Sequence, residues 1–107
     1  MMKVAVIGST SWGTTLGVIL ARRDIDVALW ARTREEADRL AQDRENTTRL
    51  PGVTFPKGLS TTSVIDEALH NASLVLLAVP SQKMRHNVRL LKGEIAEGVP
   101  IVHAAKG

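Results

Sequence analysis

The sequence predicts an α/β domain with a doubly wound, mostly parallel sheet and helices on both of its faces. Short apolar segments alternate with helical patterns along the whole chain, which favours parallel strands joined by helices. One segment, 73–79 (SLVLLAV), is apolar almost throughout, as is typical of a central parallel strand covered on both faces. A glycine-containing turn lies between the first predicted strand and the first helix. Together these features indicate the class of fold that binds nucleotides at the carboxyl ends of its strands.

The first half of the chain contains a strand–helix–strand unit and a second helix. Lys3 to Ile7 and Ile25 to Trp30 are predicted strands, joined by the glycine turn and a helix. The residues Thr33-Arg34-Glu35-Glu36 form a predicted capping box, which starts a helix that runs to about Gln42 or Asp43. The segment 44–57, with two prolines and a glycine, predicts an ordered excursion rather than a linker.

The second half contains shorter elements. We expect a short strand at Leu59 to Thr62, then a brief helix through about Leu69 with a second capping box formed by Ser63 and Asp66. Pro80 ends the strand at 73–79. The last two predicted elements are a helix capped by Ser81, with Met84, Val88 and Leu91 on one stripe, and a strand from Ile101 to about Ala104.

The size and composition limit the kinds of protein that this chain can be. Its 107 residues suit one domain, and five predicted strands are fewer than the about six of a complete dinucleotide fold. We therefore expect residues 1–107 to be a single nucleotide-binding domain, a fragment of a longer two-domain enzyme. The absence of cysteine excludes a disulfide framework, a thiolate metal site and a cysteine nucleophile.

The charge and the apolar pattern give expectations about partners and location. The net charge of +3 is scattered among acidic residues, and aromatic residues are only 3% of the chain, so nucleic acid is not expected as a partner. The N-terminal apolar run is too short for a signal peptide, and no apolar stretch reaches the roughly twenty residues that span a bilayer. We expect no membrane insertion and a cytoplasmic location.

The turn Gly8-Ser9-Thr10-Ser11-Trp12-Gly13 has the position of a dinucleotide-binding motif in a Rossmann-type fold. Gly8 would make the sharp turn out of the first strand, and Gly13 would let the helix lie close to the sheet. Ser11 offers a backbone N–H and a hydroxyl to a phosphate. Thr10 stands where the motif has its middle glycine, and it predicts a displaced pyrophosphate or a rotated turn. The alternative interpretation is that the glycines only shape a strand-to-helix connection.

Trp12 and Arg32 are the other candidate binding residues in this half. Trp12 is expected to pack against a cofactor or against an adjoining domain. Arg32 follows the second strand, where NAD-binding domains have an acidic residue that binds the ribose 2′-hydroxyl. An arginine there would attract a 2′-phosphate, so we expect NADPH to bind at least as well as NADH, with Arg34 assisting. The alternative is a solvated arginine beside the Thr33 cap.

Several segments resemble the N-terminal domain of bacterial NAD(P)-dependent glycerol-3-phosphate dehydrogenase. They are VIGSTSWGTTLG, VALWAR, the asparagine and LPG of NTTRLPG, AVPSQ and HAAKG, in family-like order over essentially the whole chain. This resemblance implies reduction of dihydroxyacetone phosphate to sn-glycerol 3-phosphate, which feeds phospholipid synthesis. It implies cofactor contacts for Ser11, Trp12 and Arg32, and contacts of Lys106 with both cofactor and substrate.

The resemblance also implies what the chain lacks. The family's general acid/base lysine lies in a C-terminal helical domain outside this sequence, so no catalytic residue is assigned here and no turnover is expected of these residues alone. A homo-oligomer is an option for the full-length enzyme. His70, His86 and His103 are interpreted as helix-surface, helix-end or strand histidines rather than ligands or bases, and no metal site is expected. The alternative function is a stand-alone nucleotide-binding or redox-sensing module without catalysis.

Overall fold

A computed structural model describes residues 2–78 and 98–103 of the chain. Its elements in chain order are β1 (Lys3–Ile7), α1 (Ser11–Ala21), β2 (Asp26–Trp30), α2 (Arg34–Asp43), β3 (Glu45–Asn46), β4 (Leu50–Thr54), β5 (Leu59–Thr62), α3 (Ile65–Leu69), β6 (Leu74–Leu77) and β7 (Ile101–His103). The predicted bounds of β1 and β5 are confirmed without change.

Five of the strands form one parallel sheet in the order β5-β2-β1-β6-β7. The order reverses direction at β1, because the chain first builds outward through β2 and β5 and then returns to add β6 and β7 on the other side. Such a reversal is the topological switch point at which open α/β sheets bind ligands. The predicted fold class, a Rossmann-like α/β domain with a mostly parallel sheet, is confirmed.

The core lies on both faces of the sheet, as the apolar runs predict. Along β1, Val4 and Val6 belong to one buried cluster, which also contains residues of α1 and α2. Ala5 and Ile7 belong to the opposite cluster, which contains residues of α3. The alternation follows from the two-residue side-chain period of a strand, so a strand buried on both faces must be apolar at every position. In the part of the chain that the structure describes, no helix is both long and apolar enough to cross a membrane.

The excursion at 44–57 contains an antiparallel pair, β3 and β4, that sequence reasoning did not predict. Arg44 ends α2 with a left-handed backbone conformation, φ 54°. The Nη2 of its side chain donates to the carbonyl oxygens of Phe55 (3.2 Å) and Pro56 (3.0 Å). Phe55 is buried against the α1 and α2 side of the core. These contacts join the two ends of the excursion and hold it against the sheet.

The two predicted capping boxes have different outcomes. Thr33 is the N-cap of α2, and its Oγ1 accepts a hydrogen bond from the N–H of Glu36 at 3.2 Å. The carboxylate of Glu36 does not complete the box, because it accepts a hydrogen bond from Ser9 instead. The box at Ser63 is wrong: Val64 precedes α3 and caps it with no side-chain hydrogen bond.

Other predictions fall on residues outside the described ranges. These are the end of the apolar strand at Val79 and Pro80, the helix after Ser81 and the end of the last strand at Ala104. Within the described residues, β6 spans Leu74–Leu77, so Ser73 and Ala78 of the predicted strand lie just outside it.

Helix α1 lies unusually close to the carboxyl end of β1 at Gly13. A Cβ at this position would collide with the Gly8 carbonyl oxygen and would lie 2.8 Å from the Ala78 Cβ. At Gly17, one turn further on, an added Cβ would be at ordinary contact distance, 3.4 Å from Leu59 Cδ1. The close approach is therefore confined to the first turn of the helix.

We predict that Gly13→Ala lowers the free energy of unfolding by about 2–3 kcal/mol or more, because the backbone atoms that its Cβ meets cannot move without shifting the helix. Gly17→Ala is the matched control. It should change stability by no more than about 1 kcal/mol, towards greater stability, because alanine favours a helix over glycine. Urea unfolding of both variants measures the difference, and equal effects would contradict this account of the close approach.

Candidate functional site

The glycine turn lies at the carboxyl edge of the sheet, where the strand order reverses. Gly8 has φ 121°, a conformation that a residue with a side chain rarely adopts. Its N–H donates to the Trp30 carbonyl at the end of β2, while the Ala78 N–H donates to the Ile7 carbonyl at the end of β1. The turn is thus held between the ends of three neighbouring strands, β2, β1 and β6.

Thr10 is the N-cap of α1, in an extended conformation that any residue can adopt. Its Oγ1 accepts a hydrogen bond from the Gly13 N–H and donates to the Ala78 carbonyl, both at 3.0 Å. Threonine is a good N-cap because its hydroxyl satisfies a helix donor that has no intrahelical acceptor. The threonine at the middle glycine position therefore has a structural role that the motif pattern did not predict.

The cap leaves two backbone donors at the start of α1. The first N–H groups of any α-helix lack an intrahelical acceptor, and here the Gly13 N–H is taken by Thr10 and the Thr14 N–H by the Thr10 carbonyl. No acceptor among the described residues takes the N–H of Ser11 or Trp12. The positive end of an 11-residue helix thus presents two donors suited to an anion.

The side chains of Ser11 and Trp12 are both exposed, Trp12 by 42%. The Ser11 hydroxyl donates to the Arg49 carbonyl at 2.7 Å, so it is engaged with the β3–β4 excursion. Of the two groups that Ser11 was expected to offer to a phosphate, the backbone N–H is the one without a partner among the described residues. Trp12 presents an aromatic surface beside that donor.

Arg32 is the second residue after the end of β2 and is exposed. The preceding residue, Ala31, is buried and donates its N–H to the carbonyl of Thr62, the last residue of β5. This hydrogen bond holds the chain beside β5 at this point. Nearby Arg34 is 3.8 Å from the Asp38 carboxylate, an exposed pair within α2. The structure thus brings Arg32 to the same sheet edge as the glycine turn, just beyond the end of the neighbouring strand.

Two polar residues from outside the turn, Glu36 and Asn46, contact it, and the sequence alone predicted neither contact. The Ser9 Oγ donates to Glu36 Oε2 at 2.8 Å, which ties the turn to the first turn of α2. The Asn46 Nδ2 donates to the Ser9 carbonyl at 3.0 Å and to Thr14 Oγ1 at 2.9 Å. Asn46 stands out in the sequence only as the asparagine before LPG, and nothing local indicates what it contacts.

Of the remaining candidates, only His70 and His103 lie in the described part of the chain. Lys106 and His86 lie outside the described residues. His70 is exposed at the end of α3, and His103 is exposed at the end of β7. In residues 2–78 and 98–103, no three His, Asp or Glu side chains are grouped so that they could hold a metal ion.

The comparison with protein families agrees with this arrangement. Residues 3–107 match the model described as NAD-dependent glycerol-3-phosphate dehydrogenase N-terminus. The glycerol-3-phosphate dehydrogenase [NAD(P)+] of Dehalococcoides mccartyi is 45% identical over 108 aligned positions, which cover 100% of this chain and 30% of the relative. That of Prosthecochloris aestuarii is also 45% identical and is covered over 32% of its length.

A solved structure gives the same result for the fold. The glycerol-3-phosphate dehydrogenase of Coxiella burnetii superposes with a TM-score of 0.93 at 28% identity, over 99% of this chain and 33% of that chain. The chain thus spans about a third of the length of the proteins that it matches. The match over residues 3–107 and this structural agreement show that the chain belongs to the family of NAD-dependent glycerol-3-phosphate dehydrogenase N-terminal domains.

Proposed function

We propose that residues 1–107 form the dinucleotide-binding domain of an oxidoreductase and that NAD(P)H binds across the turn between β1 and α1. The observation that carries this proposal is the pair of N–H donors of Ser11 and Trp12 at the start of α1, next to the topological switch point. A pyrophosphate bound there would satisfy both donors and lie at the positive end of the helix. Family membership supports NAD or NADP as the dinucleotide.

Thr10 is compatible with this binding mode. Its hydroxyl is engaged with Ala78 and Gly13, so the capping bonds hold the side chain within the turn. Gly8 and Gly13 satisfy the other two requirements of the motif, a positive φ and a close approach of the helix to the sheet. We therefore propose Gly8, Ser11, Trp12 and Gly13 as cofactor-binding residues.

Arg32 is the proposed determinant for the adenosine end of the cofactor. Its guanidinium is exposed one residue beyond the buried Ala31, at the end of the strand next to the turn. An arginine pairs with a phosphate through charge-assisted hydrogen bonds that the neutral 2′-hydroxyl of NADH cannot match. We expect NADPH to bind at least as tightly as NADH.

For the whole protein we propose reduction of dihydroxyacetone phosphate to sn-glycerol 3-phosphate. When bound, the reduced nicotinamide supplies a hydride to the carbonyl carbon of the substrate. Lys106, which lies outside the described residues, is proposed to contact both cofactor and substrate, because an ammonium can stabilise negative charge on a phosphate or a carbonyl oxygen. The proton for the new hydroxyl is proposed to come from a lysine in a region of the protein beyond this chain.

The product suggests the metabolic role. A glycerol phosphate is the backbone of glycerophospholipids, and we propose that the enzyme supplies it to their synthesis in the cytoplasm. The partner that we propose is a small phosphorylated substrate. A homo-oligomer of the whole protein stays a prediction.

We predict that Arg32→Asp lowers the affinity for NADPH relative to NADH by about tenfold or more, because a charge-assisted phosphate contact is replaced by repulsion. Calorimetric titration of the protein with both cofactors, at one ionic strength, measures the ratio. Arg23→Asp is the matched control: it makes the same change of charge on an exposed residue beyond the other end of α1. An unchanged NADPH/NADH ratio in Arg32→Asp would show that this arginine does not select the cofactor.

We also predict that the 107 residues alone bind NADPH without turning it over. No oxidation of NADPH, followed by nicotinamide absorbance, is expected when dihydroxyacetone phosphate is added, because the proposed acid lysine is missing. A calorimetric titration of the same sample controls for a folded cofactor site. Substrate-dependent oxidation by this chain would refute the assignment of the acid to another part of the protein.

A further inference from the structure

Asn46 is a buried polar residue whose side chain contacts the glycine turn and α1 together. It is 4% exposed and lies at the end of β3, where the register of the β3–β4 pair shifts. Its Nδ2 donates to the Ser9 carbonyl at 3.0 Å and to Thr14 Oγ1 at 2.9 Å, and its Oδ1 accepts from the Arg49 N–H at 3.3 Å. Both amide hydrogens and the amide oxygen are thereby used.

The contact with Ser9 acts on the peptide unit that leads into α1. Ser9 lies between Gly8, with φ 121°, and the N-cap Thr10. In a planar trans peptide the carbonyl and the next N–H point in opposite directions. A hydrogen bond that holds the Ser9 carbonyl towards Asn46 therefore also sets the direction of the Thr10 N–H, directly before the donors of Ser11 and Trp12.

The contact with Thr14 gives the same side chain a hold on the helix. Thr14 is completely buried, in the second turn of α1. One amide group thus spans from the turn to the helix and fixes the orientation of one relative to the other. Without it, the buried Ser9 carbonyl would lose its partner, and an unsatisfied buried acceptor favours a rotation of the peptide towards water.

We propose that Asn46 is a positioning residue for the cofactor pyrophosphate: it holds the Ser9 peptide and α1 in the orientation in which the Ser11 and Trp12 N–H groups meet the phosphates. This inference rests on the proposed function of the turn. It assigns to the β3–β4 excursion a role in cofactor affinity, although Asn46 itself is buried beneath the turn and donates its amide hydrogens to the protein.

The test compares two ligands in the whole protein. NADPH contains the pyrophosphate, whereas adenosine 2′-monophosphate carries the adenine, ribose and 2′-phosphate and lacks it. In Asn46→Leu, which keeps a neutral branched side chain but removes both donors, the affinity for NADPH should fall about tenfold or more. The affinity for adenosine 2′-monophosphate, measured by NMR titration, should stay within about twofold of that of the unsubstituted protein, because this ligand lacks the pyrophosphate.

Thr61→Val is the matched control for a merely structural effect. Thr61 Oγ1 donates to the Ala37 carbonyl at 2.9 Å, so this variant loses a half-buried hydrogen bond between β5 and α2. It should lower the melting temperature and leave both affinities unchanged. Should Asn46→Leu not fold, Thr14→Val removes one of the three Asn46 bonds, and an NADPH-selective loss of about threefold is expected.

The outcomes separate the two proposals. An NADPH-selective loss supports the positioning role. Equal loss of both ligands, or unchanged NADPH affinity in a folded variant, overturns it while leaving the proposed function intact. If the unsubstituted protein binds adenosine 2′-monophosphate but not NADPH, or binds neither, the proposed function fails and this inference fails with it.

Discussion

The close approach of α1 to the carboxyl end of β1 is the constraint on which the rest of this structure depends. It requires a residue without a Cβ at Gly13, because the space that a side chain would need is occupied by the Gly8 carbonyl and Ala78. It also requires the positive φ of Gly8, which turns the chain sharply enough for the helix to begin three residues later. The same approach places the positive end of α1 at the topological switch point, where a phosphate gains most from it.

The turn is stabilised by polar contacts from the elements around it. Ser9 is bonded through its side chain to Glu36 on α2 and through its carbonyl to Asn46 on β3, while Thr10 is bonded to Ala78 after β6. None of the buried side-chain nitrogen or oxygen atoms in the described residues lacks a partner. A turn that is bonded from several sides loses little conformational entropy when a ligand binds, so its remaining N–H donors are preorganised.

Much of the fold could be predicted from the sequence, because the signals for it are local. The apolar runs determine which segments are strands buried on both faces, and the glycine positions determine where β1 must turn into α1. Thr33 was recognisable as a helix start, since capping depends on residues only three apart. The location of Arg32 at the sheet edge that carries the glycine turn follows from the same local reasoning, because Arg32 comes two residues after a strand.

The rest depended on contacts between residues that are far apart in the chain. The three-residue spacing of a capping box predicts that the Glu36 side chain bonds back to Thr33. In the fold, the hydroxyl of Ser9, 27 positions before Glu36 in the chain, donates to the Glu36 carboxylate instead. Asn46 likewise gains its role only when the β3–β4 pair lies beside α1. The sequence by itself therefore determined the strands of the parallel sheet, the glycine turn and the position of the candidate site. The tertiary structure decided which polar side chains support that turn, because their partners come together only after the sheet and helices have packed.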